Sequence, residues 1–194
     1  MTNRVRHIQF KGTRQTRDTA LQLLRDAGDV VIIDRGRPRF AVIRCPCGCG
    51  ENLFANLDSR AGPAWRLYQK QKKLTLFPSY WREDACESHF ILWNDRIFWC
   101  DFRGGEGDFW SIDPSVEQLV LQSLPDDHFI KYTAVADTLG LIPWEVLQAC
   151  RQLESRGLAI GEKDFRDAAF RRLPYSAPQP TWTSRILRIF RLTS

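Results

Sequence analysis

Arg44-Cys45-Pro46-Cys47-Gly48-Cys49-Gly50-Glu51 constrains this chain more than any other stretch. Three of the six cysteines alternate there with two glycines. Downstream, Cys86-Glu87-Ser88-His89 adds a fourth thiol and one of the three histidines. Tetrahedral zinc with thiolate ligands needs sulfurs about 3.8 Å apart. Alternate residues of an extended strand lie about 6.6 Å apart. The backbone must therefore curl, and Gly48 and Gly50 are where it can, because glycine reaches positive φ without steric cost. Pro46 stiffens the entry and removes one amide from strand pairing. Two ligand sets satisfy this pattern. Cys45, Cys47, Cys49 and Cys86 make a closed four-thiolate site that leaves His89 free; the other set takes His89 and drops one thiol of the triplet. Four protein ligands make a structural zinc site, with no open position for catalysis.

Buried core cysteines or a disulfide pair are the alternatives. Free cysteine is a common core residue, but core cysteines do not cluster with glycines. Met1 to Gly12 carries charges and no apolar stretch of the kind that directs export. A cytoplasmic location is expected on that reading, where thiols stay reduced and clustered ones bind metal.

The 194 residues suffice for one sizeable domain or two small ones. No apolar run approaches the ~20 residues of a membrane-spanning helix. Charge is uneven. Residues 1–44 hold ten basic and four acidic side chains, 45–112 eight and nine, 113–157 three and seven, and 158–194 seven and three. Such a distribution is not the continuous basic stripe of a nucleic-acid binder.

The expected fold is α+β. Residues 1–29 read as a basic N-terminal segment, irregular or an edge strand from Thr2 to Gln15 and then a helix from Thr16 to Ala27, and 30–112 as a mostly antiparallel β domain around the zinc site. Strands are expected at Val30–Ile33, Phe40–Cys45, Glu51–Leu57, Trp65–Tyr68, Leu74–Phe77, His89–Trp93 and Arg96–Cys100. Lys70–Lys73 and Asn94-Asp95 form turns, Pro78-Ser79 breaks the strand pattern, and Gly104–Gly107 is a flexible link. Cys100 and Cys150 are expected in the core. Residues 113–172 resemble a winged helix-turn-helix, with helices at Ser115–Leu124, Tyr132–Leu139 and Pro143–Ser155 and a strand at Leu158–Ile160. Trp144, Glu145, Gln148, Arg151, Gln152 and Ser155 are expected on the exposed side of the last helix. The acidic balance of the helices disfavours DNA and favours docking of a protein; Lys163, Arg166, Arg171 and Arg172 keep DNA in view. Residues 173–194 form a proline-containing linker through Pro174, Pro178 and Pro180 and a basic amphipathic tail. There Arg185, Arg188 and Arg191 oppose Trp182, Ile186, Ile189 and Phe190. This tail suits a membrane surface or an acidic groove, or else packs back on the body.

Cys45-Pro46-Cys47-Gly48-Cys49-Gly50, then Pro78-Ser79, then Cys86-Glu87-Ser88-His89 and an aromatic hairpin resemble a family of small bacterial metal-binding proteins. Its members are encoded beside ubiquitin-like proteins and their activating and conjugating enzymes, frequently near anti-phage genes. The resemblance covers roughly residues 30–101. It implies a role in ubiquitin-like conjugation or its reversal, with a ubiquitin-like protein or its enzymes as partners. If zinc takes the four thiols, Ser79 and His89 form a nucleophile and general base for cleavage after a ubiquitin-like tail. Asp84, Asp95 and Asp101 are candidates for an orienting acid, and amides of the thiol loop for an oxyanion site. Ser88 is the alternative hydroxyl. The competing reading is a non-catalytic zinc adaptor whose winged helix docks a protein or DNA.

Overall fold

The computed structural model of the chain describes residues 4–83, 86–100, 112–162 and 168–174. It divides into two compact units, Met1–Ser111 and Ile112–Ser194.

Apolar strands build the first unit, with β2 and β3 apolar on both faces. One sheet takes β1 (Gln9–Arg14), β2 (Asp29–Asp34), β3 (Pro38–Arg44) and β4 (Asn52–Asn56) in chain order. A second takes β5 (Arg66–Lys70), β6 (Lys73–Trp81), β7 (His89–Trp93) and β8 (Arg96–Trp99), also in chain order. β1 and β2 are parallel and joined through the short helix α1 (Arg17–Leu21). The other strand pairs are antiparallel. Successive strand residues point to opposite faces, so Val30, Ile32, Ala41, Ile43 and Leu53 of the first sheet meet Leu74, Leu76, Phe90 and Leu92 of the second in one buried core. Cys45 and Cys47 belong to that core. Val31, Ile33 and Val42 point the other way and pack beneath Ala20 and Leu24.

Two hairpins place the second sheet's strands. Gln71 and Lys72 between β5 and β6, and Asn94 and Asp95 between β7 and β8, all have positive φ. Consecutive positive φ values characterise the tight turn whose twist matches paired strands. At the second turn, Leu74 N donates to Asp95 Oδ1 at 2.8 Å.

The stretch from Thr2 to Gln15, read as irregular or as an edge strand, holds the strand: β1 pairs with β2 at the sheet edge, Ile8 is buried in the core, and Ile97 N donates to Arg6 O at 2.8 Å. The structure departs from the expected first unit in two places. The helix expected to reach Ala27 is five residues long. Arg25 N and Asp26 N donate instead to the buried Asp29 carboxylate at 3.0 and 2.9 Å, an alternative to helical pairing. Finally, β6 runs through Pro78-Ser79 to Trp81. Leu76 pairs with Leu92 and Tyr80 with Phe90, so three residues of β6 span what Ile91 alone spans on β7. Proline is accommodated because a bulge does not call on its missing N–H.

The second unit comprises α2 (Pro114–Ser123), β9 (Ile130–Lys131), α3 (Tyr132–Leu139), α4 (Pro143–Ser155), β10 (Ala159–Gly161) and β11 (Ala169–Arg172). Its strands form an antiparallel sheet in the order β10-β11-β9. Asp113 caps α2, its Oδ1 accepting from Ser115 N at 2.9 Å, with proline at the start of the helix. Val146, Ala149, Cys150 and Leu153 put the buried face of α4 at helical spacing. Trp144 and Glu145, expected outside, are buried: the first turn of α4 is enclosed on all sides, with Ile142 through Val146 covered. Arg151 and Ser155 are exposed as expected. No helix among the described residues is long and apolar enough to cross a membrane. Gly104–Gly107, Lys163, Arg166, Pro178, Pro180 and the tail from Trp182 lie outside the described residues.

Candidate active site and metal centre

The thiol loop leaves the end of β3 and turns back into β4. Cys45 N donates to Glu51 O at 2.8 Å and Gly48 N to Cys45 O at 3.1 Å, closing the loop on itself. Gly48 and Gly50 have φ of 82° and 87°, which allows a curl that a strand lacks. The fourth thiol arrives from the connection between β6 and β7. The sulfurs of Cys45, Cys47, Cys49 and Cys86 all lie within 4.8 Å of one another. Cys45 Sγ is 3.3 Å from Cys47 Sγ and 3.7 Å from Cys86 Sγ, far longer than a disulfide bond. Four convergent thiols at these separations can hold a metal ion.

The electrostatics of the thiols fit a cation. Burial pushes the Cys45 thiol far above its ordinary range, with the Cys47 and Cys49 contacts adding to it. Burial raises Cys49 as well. For Cys86, burial pushes upward, but the Ser88 hydroxyl and amide and the Cys45 and Cys47 thiols outweigh it, and the pKa is lowered to about 7. A buried thiol that resists ionising beside one that ionises readily is a set which a bound cation would bring to thiolates together.

Ser88 is fully buried, its Oγ 3.1 Å from Cys86 Sγ and 3.6 Å from Cys45 Sγ. It pairs with the thiols and is not placed as a nucleophile. Alternation then sends the next side chain, His89, to the face of β7 opposite Phe90 and the core.

On that face His89 Nε2 lies 3.1 Å from Ser79 Oγ. The pairing follows from register. Trp81 is directly opposite His89, and Ser79, two residues earlier, shares its face. The bulge at Phe77–Ser79 aims the hydroxyl diagonally at the ring. The Trp81 indole stacks on the imidazole, centroids 5.5 Å apart and planes 27° apart, while remaining 52% exposed. Beneath, Tyr80 stacks between Trp65 at 5.2 Å and Phe90 at 5.8 Å and packs against the core. The site therefore stands on a packed aromatic layer, and the group that can hold a metal ion consists of the four thiols without His89. A serine hydroxyl within hydrogen-bond reach of an imidazole nitrogen is the arrangement that general-base activation requires.

Of the three aspartates considered as orienting acid, Asp95 is removed: its carboxylate holds Leu74 N at the far end of the β7–β8 hairpin. Asp84 and Asp101 lie outside the described residues. Cys100, expected in the core, is exposed: its amide donates to His89 O at 2.9 Å, continuing the pairing beyond β8 onto the outer face. Cys150 is buried within α4, where burial, with Glu154 nearby, pushes its thiol up to about 12. Trp81 was not singled out in the sequence, although its i+2 spacing from Ser79 in a strand was a legible signal.

A family model described as bacterial ubiquitination-like system serine protease (BubE) matches residues 16–100. The match takes in the four clustered thiols, Ser79 and His89, so the resemblance carried by those motifs is to a family of that description. The chain matches no curated protein and no solved structure.

Proposed function

We propose that this protein is a zinc-stabilised serine peptidase that cleaves a bacterial ubiquitin-like protein after its C-terminal tail, maturing it or releasing it from a conjugate. The 3.1 Å approach of His89 Nε2 to Ser79 Oγ carries the reading, within the segment similar to a serine protease family. With its proton on Nδ1, His89 presents the Nε2 lone pair to the serine. Ser79 Oγ attacks the scissile carbonyl, His89 takes the hydroxyl proton and then gives it to the leaving amine, and water repeats the cycle on the acyl-enzyme. Trp81, exposed against the imidazole, offers an apolar wall to a tail lying along the outer sheet face. Zinc on Cys45, Cys47, Cys49 and Cys86 would tie the β3–β4 loop to the start of β7. Through Ser88 it would hold the backbone from which His89 projects, a structural role with no part in the proton transfers.

For the second unit, the α2-β9-α3-α4-β10-β11 order supports a winged-helix reading, and its chemistry favours a protein partner over DNA. Arg171 donates to Asp126 O and lies over the Phe129 ring, and Arg172 pairs with the Asp126 carboxylate, so both wing arginines are engaged within their own unit.

The test is incubation of the full chain with a bacterial ubiquitin-like protein carrying a C-terminal fusion, followed by intact-mass analysis. A single cleavage at the tail is expected. Ser79→Ala and His89→Ala should each lower its rate by a factor of about 1,000 or more while zinc content stays at wild-type level. Full cleavage by Ser79→Ala, or zinc loss in His89→Ala, overturns the mechanism.

A further inference from the structure

On the outer face of the first sheet, away from the Ser79–His89 pair, Ala20 of the five-residue α1 and Leu24 after it pack on Val31, Ile33 and Val42, with Phe40 and Phe54 against the same cluster. Beside them lies a groove of about 370 Å³ floored by Ile33, Phe40 and Phe54 and walled by Arg17, Arg35 and Arg39. Phe40 and Phe54 meet edge to face at 6.5 Å, which fixes the floor. The Arg17 guanidinium lies 4.6 Å from the centre of the Phe54 ring. Arg35 Nε is held by Gln15 O at 3.0 Å, which sets the direction of its fork. Arg39 is already paired with the Asp58 carboxylate at 2.8 Å. Among the described residues neither Arg17 nor Arg35 has a carboxylate partner, so the groove presents two uncompensated cations above an apolar floor.

We infer that this groove is a docking site for a short acidic peptide segment of a protein partner, one that sets a carboxylate side chain beside an apolar one. Guanidinium forks match carboxylates in plane and can bind both oxygens at once, as Arg60 does to Asp58 here, through Nε at 2.9 Å and Nη2 at 3.0 Å. The apolar floor takes the neighbouring side chain, and its desolvation strengthens the ion pairs above it. A nucleic-acid backbone calls for cations spaced along a track. This site gathers its cations around one pocket. The inference stands independently of the peptidase reading.

The experiment measures binding of fluorescein-labelled Glu-Leu-Glu-Phe to the intact chain by anisotropy, with Gln-Leu-Gln-Phe and an eight-nucleotide oligothymidine as comparison probes. The acidic peptide should bind at least about tenfold more tightly than its glutamine counterpart, and Arg17→Ala with Arg35→Ala should remove that difference. Both arginines are exposed, and the glutamine comparison needs no variant, so the test survives a folding failure. Equal affinity for the two peptides, no binding of either, or tighter binding of the oligonucleotide overturns the assignment. Tail cleavage by the double variant should equal wild type, which separates this result from the fate of Ser79 and His89.

Discussion

A buried hydroxyl between two thiols does different work from an exposed one. Ser88 Oγ touches Cys86 Sγ and Cys45 Sγ, and its hydrogen bonding lowers the Cys86 pKa against the effect of burial. Ser88→Ala should weaken metal binding by a factor of about 10 to 100, read by chelator competition, because the outer partners of a metal ligand orient and tune it. Its second signature is in the metal-free protein. Against burial, hydrogen bonds from Ser88 lower the Cys86 pKa to about 7, so its alkylation by iodoacetamide should rise through neutral pH and level off above it. In Ser88→Ala the midpoint should move up, since the stabiliser of the thiolate is gone. An unchanged midpoint would show that Ser88 merely fills space. The neighbouring His89, pointing the opposite way, should leave both readouts unaffected when it is replaced.

At the scale of elements, the β7–β8 hairpin sets where His89 starts, and its turn is pinned by Asp95 accepting from Leu74 N. Removing a charged acceptor from a half-buried amide costs about 1–3 kcal/mol. Asp95→Ala should therefore lower the unfolding free energy by that amount in urea titration, while tail cleavage by the folded protein keeps its rate. A drop in cleavage rate without loss of stability would return Asp95 to consideration as the orienting acid. The bulge in β6 has the same standing: it is where the strand gives up regular pairing with β7 to place a hydroxyl beside a ring, as bulges next to functional sites do.

For the whole molecule, two units with separate cores predict two unfolding events. The thiol cluster belongs to the first unit, so a chelator should lower the unfolding temperature of one transition in calorimetry and leave the other in place. A single transition that shifts as a whole would show that the units unfold together. Ligand linkage gives the sign: whatever binds only the folded state stabilises it, and its removal destabilises that unit.

The boundary between sequence and tertiary structure runs through particular residues. Clustered thiols, glycine spacing and strand alternation depend on local chemistry, so the cysteine set, the hairpin turns and the span of β7 were legible in the chain. Helices α3 and α4 were legible for the same reason. Long-range pairing decided the rest. Between the two readings open for Gln9–Arg14, irregular or edge strand, the partner offered by β2 chose the strand, and α1 stopped early because the Asp29 carboxylate captured the amides of Arg25 and Asp26. Trp144 and Glu145 went inside because the first turn of α4 is covered all round, which helical periodicity cannot register. Ser79 and His89 could be named as candidates from their residue types and motifs. Their 3.1 Å approach depends on a two-residue excess in β6 and on the Trp81–His89 register, which arise only when two strands meet. The arginine groove depends likewise on what α1 leaves uncovered, a property of packing that no single stretch of the chain contains.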